Sequence, residues 1–129
     1  MIGVDTNILL RWVVADTGSK KEQDKAAELL DGKEIYINLA VLIELVWLLL
    51  RTYKFPTSQV SAFLSALMGD KLVTMQNAKE IRDALADWQK LGGDFSDHLI
   101  AHLNRTAGCR HTVTFDTKAS RSPQFKLAL

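Results

Sequence analysis

The sequence predicts an α/β fold: a three-layer sandwich in which a central, mainly parallel sheet of four or five strands has helices on both faces. Short apolar runs of strand length alternate with longer segments of helical period. Strands separated by helices favour parallel pairing through right-handed crossovers. No repeat, low-complexity tract or Pro/Gly-rich linker interrupts the 129 residues, of which 47% are hydrophobic, so we expect a single domain over 1–129.

The chain begins with an apolar run, 1–4, which predicts the first strand. The run stops at Asp5 and gives way to a helix through about Ala15. Residues 19–31 are rich in charged side chains and are followed by Gly32. They therefore predict a polar helix that faces solvent.

The run 34–38 has β-branched and aromatic residues over the length of a strand, and a buried apolar helix, 39–53, is predicted after it. The most apolar part of that helix would be about 18 Å long, whereas the hydrocarbon core of a bilayer is roughly 30 Å thick. It also contains Glu44, so we expect no membrane span. Pro56 starts the next helix, which ends near Gly69.

A third strand is predicted over 71–75, and Asn77 is a suitable cap for the amphipathic helix after it. Gly92 and Gly93 end that helix. Its apolar stripe predicts the buried positions Ile81, Ala84, Leu85, Trp88 and Leu91. The remaining predicted elements are a helix over 95–107 and strands over 112–115 and 125–128.

Formal charges nearly balance, with 16 basic and 15 acidic residues, so net charge alone does not indicate a nucleic-acid or membrane-surface partner. Their distribution is uneven. Residues 105–129 have five basic side chains and one acid, giving +4, while 1–104 have eleven and fourteen, giving −3. The basic end could hold phosphates or could simply keep the surface soluble, and its candidates for substrate binding are Arg105, Arg110, Lys118 and Arg121.

Cys109 is the only cysteine, so no intrachain disulfide can form and a reducing compartment is expected. The first residues lack a basic segment leading into an apolar run with a small-residue cleavage site. We therefore expect a cytoplasmic protein without a signal peptide.

Acidic side chains fall at the ends of the predicted strands or in the helices beside them. Asp5 ends the first strand and Asp116 the fourth, while Glu44 lies about 7 Å along the helix after the second. Asp97 is in the first turn of the helix before the fourth strand, and Asp94 precedes it by three residues. Ligands of open α/β sheets bind at the carboxyl ends of the strands, so we expect these acids to converge.

Each acid also has a structural alternative. Asp5 and Asp94 could be helix caps, and Asp116 could close a turn. Glu44 could pair with Arg51, two turns along the same face.

Convergence of these acids requires a compensating charge. Two carboxylates about 4 Å apart repel by roughly 4 kcal/mol at an effective dielectric near 20, so either some are protonated or a cation lies among them. Oxygen ligands without cysteine favour Mg²⁺ or Mn²⁺ over zinc. Such a site can polarise a phosphoryl oxygen and activate water.

Four segments occur in order at the ends of the predicted elements: Asp5-Thr6-Asn7, Glu44 within INLAVLIELVWLLLRTYKF, DFSDHLIA from Asp94 to Ala101, and Thr114-Phe115-Asp116. Together they resemble the PIN-domain ribonucleases, and specifically the VapC-type toxins of type II toxin–antitoxin pairs. The resemblance extends over nearly the whole chain and is loose only in 19–31 and after Asp116.

The resemblance implies a PIN-like sandwich and a divalent-metal-dependent endoribonuclease that hydrolyses RNA phosphodiester bonds, with tRNA or rRNA as candidate targets. It implies catalytic metal ligands at Asp5, Glu44, Asp97 and Asp116, a further ligand at Asp94, and polar supports at Thr6, Asn7 and Thr114. It also implies Mg²⁺ or Mn²⁺ as cofactor and a VapB-like antitoxin as partner.

His98 and His102 have the i, i+4 spacing that some zinc sites use. Their helical angles lie about 100° and 140° from Asp97, and the core face of that helix is predicted to be Leu99, Ile100 and Leu103. We therefore expect both imidazoles to face outward or to line the rim of a cleft, with a solvated or RNA-contacting role rather than zinc ligation.

The tryptophans lie in predicted helices, and Trp47 and Trp88 have the apolar spacing of core residues. Trp12 is different because the helix that carries it is apolar almost all round. Such a helix needs cover on more than one side. We therefore expect a partner chain over part of this surface, either a second copy in a homodimer or an antitoxin.

Two other functions remain open. One is a PIN-fold module that binds a partner without catalysis. The other is a Mg²⁺-binding phosphoacceptor signalling domain, which requires neighbouring acids after the first strand and a lysine that ends a late strand, and this chain has neither. A phosphatase of the dehalogenase type requires an aspartate at the position of Asn7.

Overall fold

The computed structural model describes residues 1–14 and 18–129, which form two compact units, Met1–Gln76 and Asn77–Leu129. Each unit combines parallel strands with helices, so the predicted α/β class is confirmed. The described strands pair as one set of three in the first unit and one set of two in the second. No helix in the described ranges is both long enough and apolar enough to span a bilayer.

The first unit is built on a parallel sheet with the strand order β1–β2–β3. The strands are β1 (Ile2–Gly3), β2 (Ile35–Ile37) and β3 (Val73–Met75). Ile35 pairs with Ile2 on one side and with Val73 on the other. The third strand starts later than its sequence predicts because Asp70 closes a turn there, with its Oδ1 accepting a hydrogen bond from the Leu72 N–H at 2.9 Å.

The helices of the first unit are α1 (Thr6–Val13), α2 (Lys20–Leu30), α3 (Leu39–Trp47) and α4 (Thr57–Gly69). The first three begin at side chains that accept hydrogen bonds from free backbone N–H groups, namely Asp5, Ser19 and Asn38. The predicted helix 39–53 consists of α3 and a π-helical turn, Leu48–Thr52. Ala15, the expected end of α1, lies outside the described residues.

One tryptophan prediction for this unit needs correction. Trp47 is 57% exposed, so the prediction that it lies in the core is wrong. Helix α3 is apolar on nearly every side, so its sequence period could not show that Leu42 and Leu45 form the packed face.

Trp12 is half-buried on α1, which packs against α2 and α3. Its indole N–H donates to Asp31 Oδ1 at 2.9 Å. These two helices provide part of the cover that the apolar sequence of α1 requires.

The second unit contains the helices α5 (Ala78–Leu91) and α6 (Phe95–Thr106), followed by β4 (Thr112–Thr114), a 3₁₀ turn (Ala119–Arg121) and β5 (Phe125–Leu127). The two helices pack together, and the rings of Trp88 and Phe95 meet edge to face with centroids 5.6 Å apart. Strands β4 and β5 are parallel, with Val113 opposite Lys126.

The amphipathic stripe of α5 is confirmed at four of its five positions, which are Ile81, Ala84, Leu85 and Trp88. Leu91 is 38% exposed because it lies in the last turn, where the chain leaves the packed face. Asn77 precedes α5 but does not cap it with its side chain. Its backbone is left-handed, with φ of 55°, whereas a capping residue has extended φ and ψ.

Candidate active site

Asp5 follows β1 directly and is exposed. Its Oδ1 accepts a hydrogen bond from the Ile8 N–H at 3.0 Å, so the capping role is confirmed. Its Oδ2 makes no hydrogen bond within the described residues, and the carboxylate can therefore cap α1 and still bind a ligand. Of its two neighbours, Thr6 is buried and Asn7 is exposed.

Glu44 lies on the exposed side of α3, between the partly exposed Ile43 and Trp47. The alternative in which Glu44 pairs with Arg51 is not observed, because the described residues contain no ion pair between them. The sequence predicts a buried helix here, whereas the face that carries Glu44 is exposed. Glu44 is therefore an exposed acid surrounded by apolar side chains.

The second unit brings three of the predicted acids together. Asp94, Asp97 and Asp116 line one cavity of about 440 Å³. The pKa of Asp97 is raised, first by burial of its carboxyl group, then by the negative charges of Asp94 and Asp116, while His98 opposes the rise. Burial is thus the main cause of the raised pKa, and the two neighbouring carboxylates add to it.

Local hydrogen bonds hold Asp116 just beyond the carboxyl end of β4. Its backbone N–H donates to Thr114 Oγ1 at 3.0 Å, which gives the predicted support by Thr114 a structural basis. Its Oδ1 accepts from the Lys118 N–H at 2.8 Å. The alternative in which Asp116 closes a turn is thus confirmed, and Oδ2 remains without a hydrogen bond in the described part of the chain.

Asp94 stands at the start of α6 without capping it, since its side chain makes no cap hydrogen bond. The expectation that Asp94 is a helix cap is wrong. Its position is set instead by the two glycines before it, Gly92 and Gly93, which have φ of 70° and 79°. Glycine adopts such angles without the strain that a Cβ would bring.

Two buried side chains hold the carbonyl groups of these glycines. His98 donates from Nε2 to the Gly92 carbonyl oxygen at 2.7 Å, and Trp88 donates from Nε1 to the Gly93 carbonyl oxygen at 2.9 Å. Sequence reasoning missed this glycine clamp, which we define as Trp88, His98, Gly92 and Gly93. The sequence contains a signal for this clamp: Trp88 precedes the two glycines and His98 follows them, and each of these rings has an N–H that can donate a hydrogen bond.

The structure decides between the two positions expected for His98. His98 is 5% exposed and lines the acidic cavity, so it borders a cleft and does not face outward. Its Nδ1 is buried and makes no hydrogen bond within the described residues. His102 is half-buried, and its Nε2 lies 2.6 Å from Asp87 Oδ2 and 3.0 Å from Gln124 Nε2. Each ring therefore has a structural partner through its Nε2.

The predicted substrate-binding residues divide between two places in the second unit. Lys118 and Arg121 line the acidic cavity together with the three aspartates. Arg105 and Arg110 line a different cavity of about 380 Å³. The acidic cavity therefore has cationic side chains on its wall, while the other cavity has basic side chains and no acidic lining residue.

The donor chemistry of the acidic cavity fits a hard divalent cation. Its three carboxylates supply oxygen ligands, and no thiol lines the cavity. Burial is the main cause of the raised pKa of Asp97, and the charges of Asp94 and Asp116, which a cation would neutralise, add to it. Within the ranges 1–14 and 18–129, no three His, Cys, Asp or Glu side chains already stand in the arrangement of a metal site. Ligation would therefore require the side chains to rearrange around the ion.

Comparison with known proteins agrees with the α/β fold. The sequence profile of the PIN domain matches residues 2–123. The chain is 25% identical over 114 residues to a VapC ribonuclease of Aquifex aeolicus (strain VF5), an alignment that covers 87% of this chain and 84% of that protein. Because the family profile spans nearly all of its sequence, the chain belongs to the PIN domain family.

Proposed function

We propose that this protein is a divalent-metal-dependent endoribonuclease that hydrolyses RNA phosphodiester bonds and acts as the toxin of a toxin–antitoxin pair, with tRNA or rRNA as candidate targets. One observation carries the proposal: Asp94, Asp97 and Asp116 share a cavity with Lys118 and Arg121. Membership of the PIN domain family and the VapC ribonuclease among its relatives support the same reaction.

The proposed cofactor is Mg²⁺ or Mn²⁺, because the candidate ligands are carboxylate oxygens. When bound, such an ion would polarise a phosphodiester oxygen and lower the pKa of water. We propose that the residues that hold it are Asp5, Glu44, Asp97 and Asp116, with Asp94 as a further ligand. Thr6, Asn7 and Thr114 are proposed as polar supports, and the hydrogen bond from the Asp116 N–H to Thr114 Oγ1 favours this role for Thr114.

Lys118 and Arg121 are proposed to bind the non-bridging oxygens of the phosphate that is cleaved. Both line the cavity of the three aspartates, and neither forms a salt bridge within the described residues. A cationic wall beside carboxylates can hold an anionic substrate that the acids alone would repel. The chain's own side chains thus provide both orientation of the phosphate and partial neutralisation of its charge.

A protein partner is proposed for the exposed face of α3. Ile43 and Trp47 are 39% and 57% exposed and flank Glu44, one of the proposed ligands. Aromatic residues of this kind are enriched in protein interfaces. We propose that a VapB-like antitoxin, or a second copy of the chain in a homodimer, covers this face, and that the pair acts in the cytoplasm.

Cleavage of total cellular RNA with and without Mg²⁺ or Mn²⁺ tests the proposed reaction. Asp97→Asn and Asp5→Asn should each reduce metal-dependent cleavage by at least 100-fold, which corresponds to about 3 kcal/mol of transition-state stabilisation. Asp24→Asn is the matched control, since Asp24 is exposed on α2 and pairs only with Lys20 there. Cleavage that persists in both site variants, or that continues in a chelator, would contradict the assignment.

A second candidate is a PIN-fold module that binds a partner without catalysis, and the exposed apolar side chains of α3 are the observation that favours it. It predicts that the protein binds no divalent cation near millimolar concentration. Titration calorimetry with Mn²⁺ separates the two functions, because only the nuclease requires an ion.

A further inference from the structure

The second unit contains a basic pocket, the cavity of about 380 Å³ noted above, where α6 ends and β4 begins. Its polar wall is formed by Arg105, Cys109, Arg110, His111, Thr112 and Gln124. It shares no lining residue with the acidic cavity. It is therefore a separate concave site in the same unit.

Charge in this pocket is uncompensated. Arg105 and Arg110 form no salt bridge within the described residues, and no acidic side chain lines the pocket. Like charges that face one cavity without a counter-charge attract an anion. Guanidinium groups are suited to phosphate because their planar donors match its oxygens in pairs.

Local structure explains only part of this arrangement. Arg105 lies in the last turn of α6, where a cation interacts favourably with the helix dipole. That role requires neither Arg110 nor His111, which lie beyond the helix on the wall of the same pocket. Interaction with the helix end therefore does not account for the grouping of Arg105, Arg110 and His111, whereas binding of an anionic ligand would.

The hydrogen bonds of the other polar side chains on the wall determine which donors are free to bind a ligand. Gln124 is a fixed part of the wall, because its Nε2 donates to Asp87 Oδ2 at 3.4 Å and lies 3.0 Å from His102 Nε2. Thr112 Oγ1 accepts from Asn104 Nδ2 at 3.0 Å and keeps its own O–H to donate. The two guanidinium groups and the Thr112 O–H can donate to a ligand, whereas Gln124, on the same wall, also has a buried acceptor, Oε1, that makes no hydrogen bond within the described residues. Donors outnumber acceptors, which suits a ligand with many acceptor oxygens.

We propose that the basic pocket binds a phosphodiester group of RNA that is not the one cleaved. This inference rests on RNA as the proposed substrate and adds a second anchoring point to it. A volume of about 380 Å³ admits a phosphate with its attached sugar. RNA held at both the basic pocket and the acidic cavity would present a fixed backbone register, so the spacing between the two helps to select where the strand is cut.

Salt dependence of RNA binding tests the proposal directly. Binding of a fluorescein-labelled single-stranded RNA is measured by anisotropy in a chelator, so that no cleavage occurs. The variant Arg105→Ala/Arg110→Ala should show a slope of log K against log salt that is smaller by about 0.7, because the pocket holds one phosphate and each phosphate neutralised on a single strand contributes about 0.7. Between 50 and 200 mM salt, this difference amounts to about 2.6-fold in affinity.

The control variant Lys33→Ala/Arg82→Ala removes two positive charges from exposed positions outside both cavities. Its slope should stay close to that of the unmodified protein. An equal loss of slope in the control would show a general charge effect and would overturn the proposal. An unchanged slope in Arg105→Ala/Arg110→Ala would also overturn the proposal.

Cys109 provides a second measurement that does not depend on substitution of either arginine. It is exposed, lines the basic pocket and is the only cysteine of the chain, so a thiol reagent labels one position. RNA should slow its alkylation by iodoacetamide at least threefold, whereas inorganic phosphate at the same phosphate concentration should protect less. Equal protection by inorganic phosphate indicates an anion site that does not recognise RNA and overturns the assignment.

These experiments can contradict the proposed nuclease and the proposed RNA-binding pocket separately. If the protein cleaves RNA but neither the salt slope nor the alkylation rate responds as expected, the basic pocket does not bind RNA and the proposed nuclease stands. If both respond but no metal-dependent cleavage occurs, RNA binding stands and the nuclease fails. Melting curves of the arginine variants confirm that each is folded at the temperature of the assay.

Discussion

His98 Nε2 lies 2.7 Å from the carbonyl oxygen of Gly92, and because a carbonyl can only accept, the imidazole nitrogen is the donor. This hydrogen bond joins the second turn of α6 to the end of α5, across the turn that carries Asp94. The ring is buried, so the bond is shielded from water. It fixes the backbone from which one carboxylate of the acidic cavity projects.

Removal of this donor should loosen the cavity. His98→Ala leaves the Gly92 carbonyl without its partner and creates a small void, with an expected loss of about 2–4 kcal/mol in the free energy of unfolding. His98→Gln keeps an N–H at a similar reach and should restore most of the stability. Chemical denaturation measures both variants.

A purely structural role for His98 and a positioning role differ in one readout. If His98 positions Asp94, calorimetry at a temperature where both variants are folded should show weaker Mn²⁺ binding in His98→Ala than in His98→Gln. Equal Mn²⁺ affinity in the two variants would limit His98 to stability.

Asp97 should lower the stability of the metal-free protein. Its pKa is raised by burial and by Asp94 and Asp116, so ionisation is less favourable in the folded state than in the unfolded chain. The stability of the unmodified protein in a chelator should therefore fall as pH rises from the ordinary aspartate value of 3.8 through the raised pKa. Asp97→Asn should lack this fall and melt at a higher temperature at pH 7, and a lower melting temperature would contradict the expectation.

The hydrogen bond between His102 Nε2 and Asp87 Oδ2 should contribute measurably to the packing of α5 on α6. The two atoms are 2.6 Å apart and both side chains are largely shielded, with 15% and 30% exposure. A double-mutant cycle with His102→Gln and Asp87→Asn should give a coupling energy of about 1–2 kcal/mol. The exposed pair Lys79–Asp83 on α5 is the internal comparison and should give about 0.5 kcal/mol or less.

Trp47 and Trp88 should respond oppositely to the same substitution. Trp47→Ser removes an exposed ring, so it should change the free energy of unfolding by about 0.5 kcal/mol or less while it weakens association through α3. Trp88→Ser removes a buried ring and its hydrogen bond to Gly93, with an expected cost of about 3–5 kcal/mol. Thermal melting and light scattering separate the effects, and a stable oligomer of the Trp47 variant would show that α3 is not the interface.

The spacing of hydrophobic residues predicted most of the helices and strands of this chain, but it predicted the wrong buried face for some of the helices. Helix α5 has one clear apolar stripe, and its buried positions follow from the sequence. Helix α3 is apolar on nearly every side, so the period carries no directional information and Trp47 was assigned to the core. In α6, the ring of Phe95 packs on Trp88, which rotates the buried face toward His98 and leaves Ile100 47% exposed.

The acids of the second unit were predictable as a group, whereas the groups that hold them were not. Position after a strand or at a helix start is enough to select Asp94, Asp97 and Asp116 from the sequence. The glycine clamp depends on which way Trp88 and His98 point, and that is decided by packing between two helices. Separation of the basic residues into two cavities likewise follows from how the chain turns after α6, which one-dimensional spacing does not encode.

The π-helical turn Leu48–Thr52 holds one more residue than a regular helical turn, and the Tyr53 N–H correspondingly reaches back five residues to the Leu48 carbonyl oxygen at 2.9 Å. One inserted residue rotates the side chains that follow it by about 100° around the helix axis. Arg51 would share a face with Glu44 in an unbroken α-helix, and the insertion turns it away. The widened turn thus deprives Glu44 of a counter-charge from its own helix, so whatever cation neutralises this acid must arrive from outside that helix.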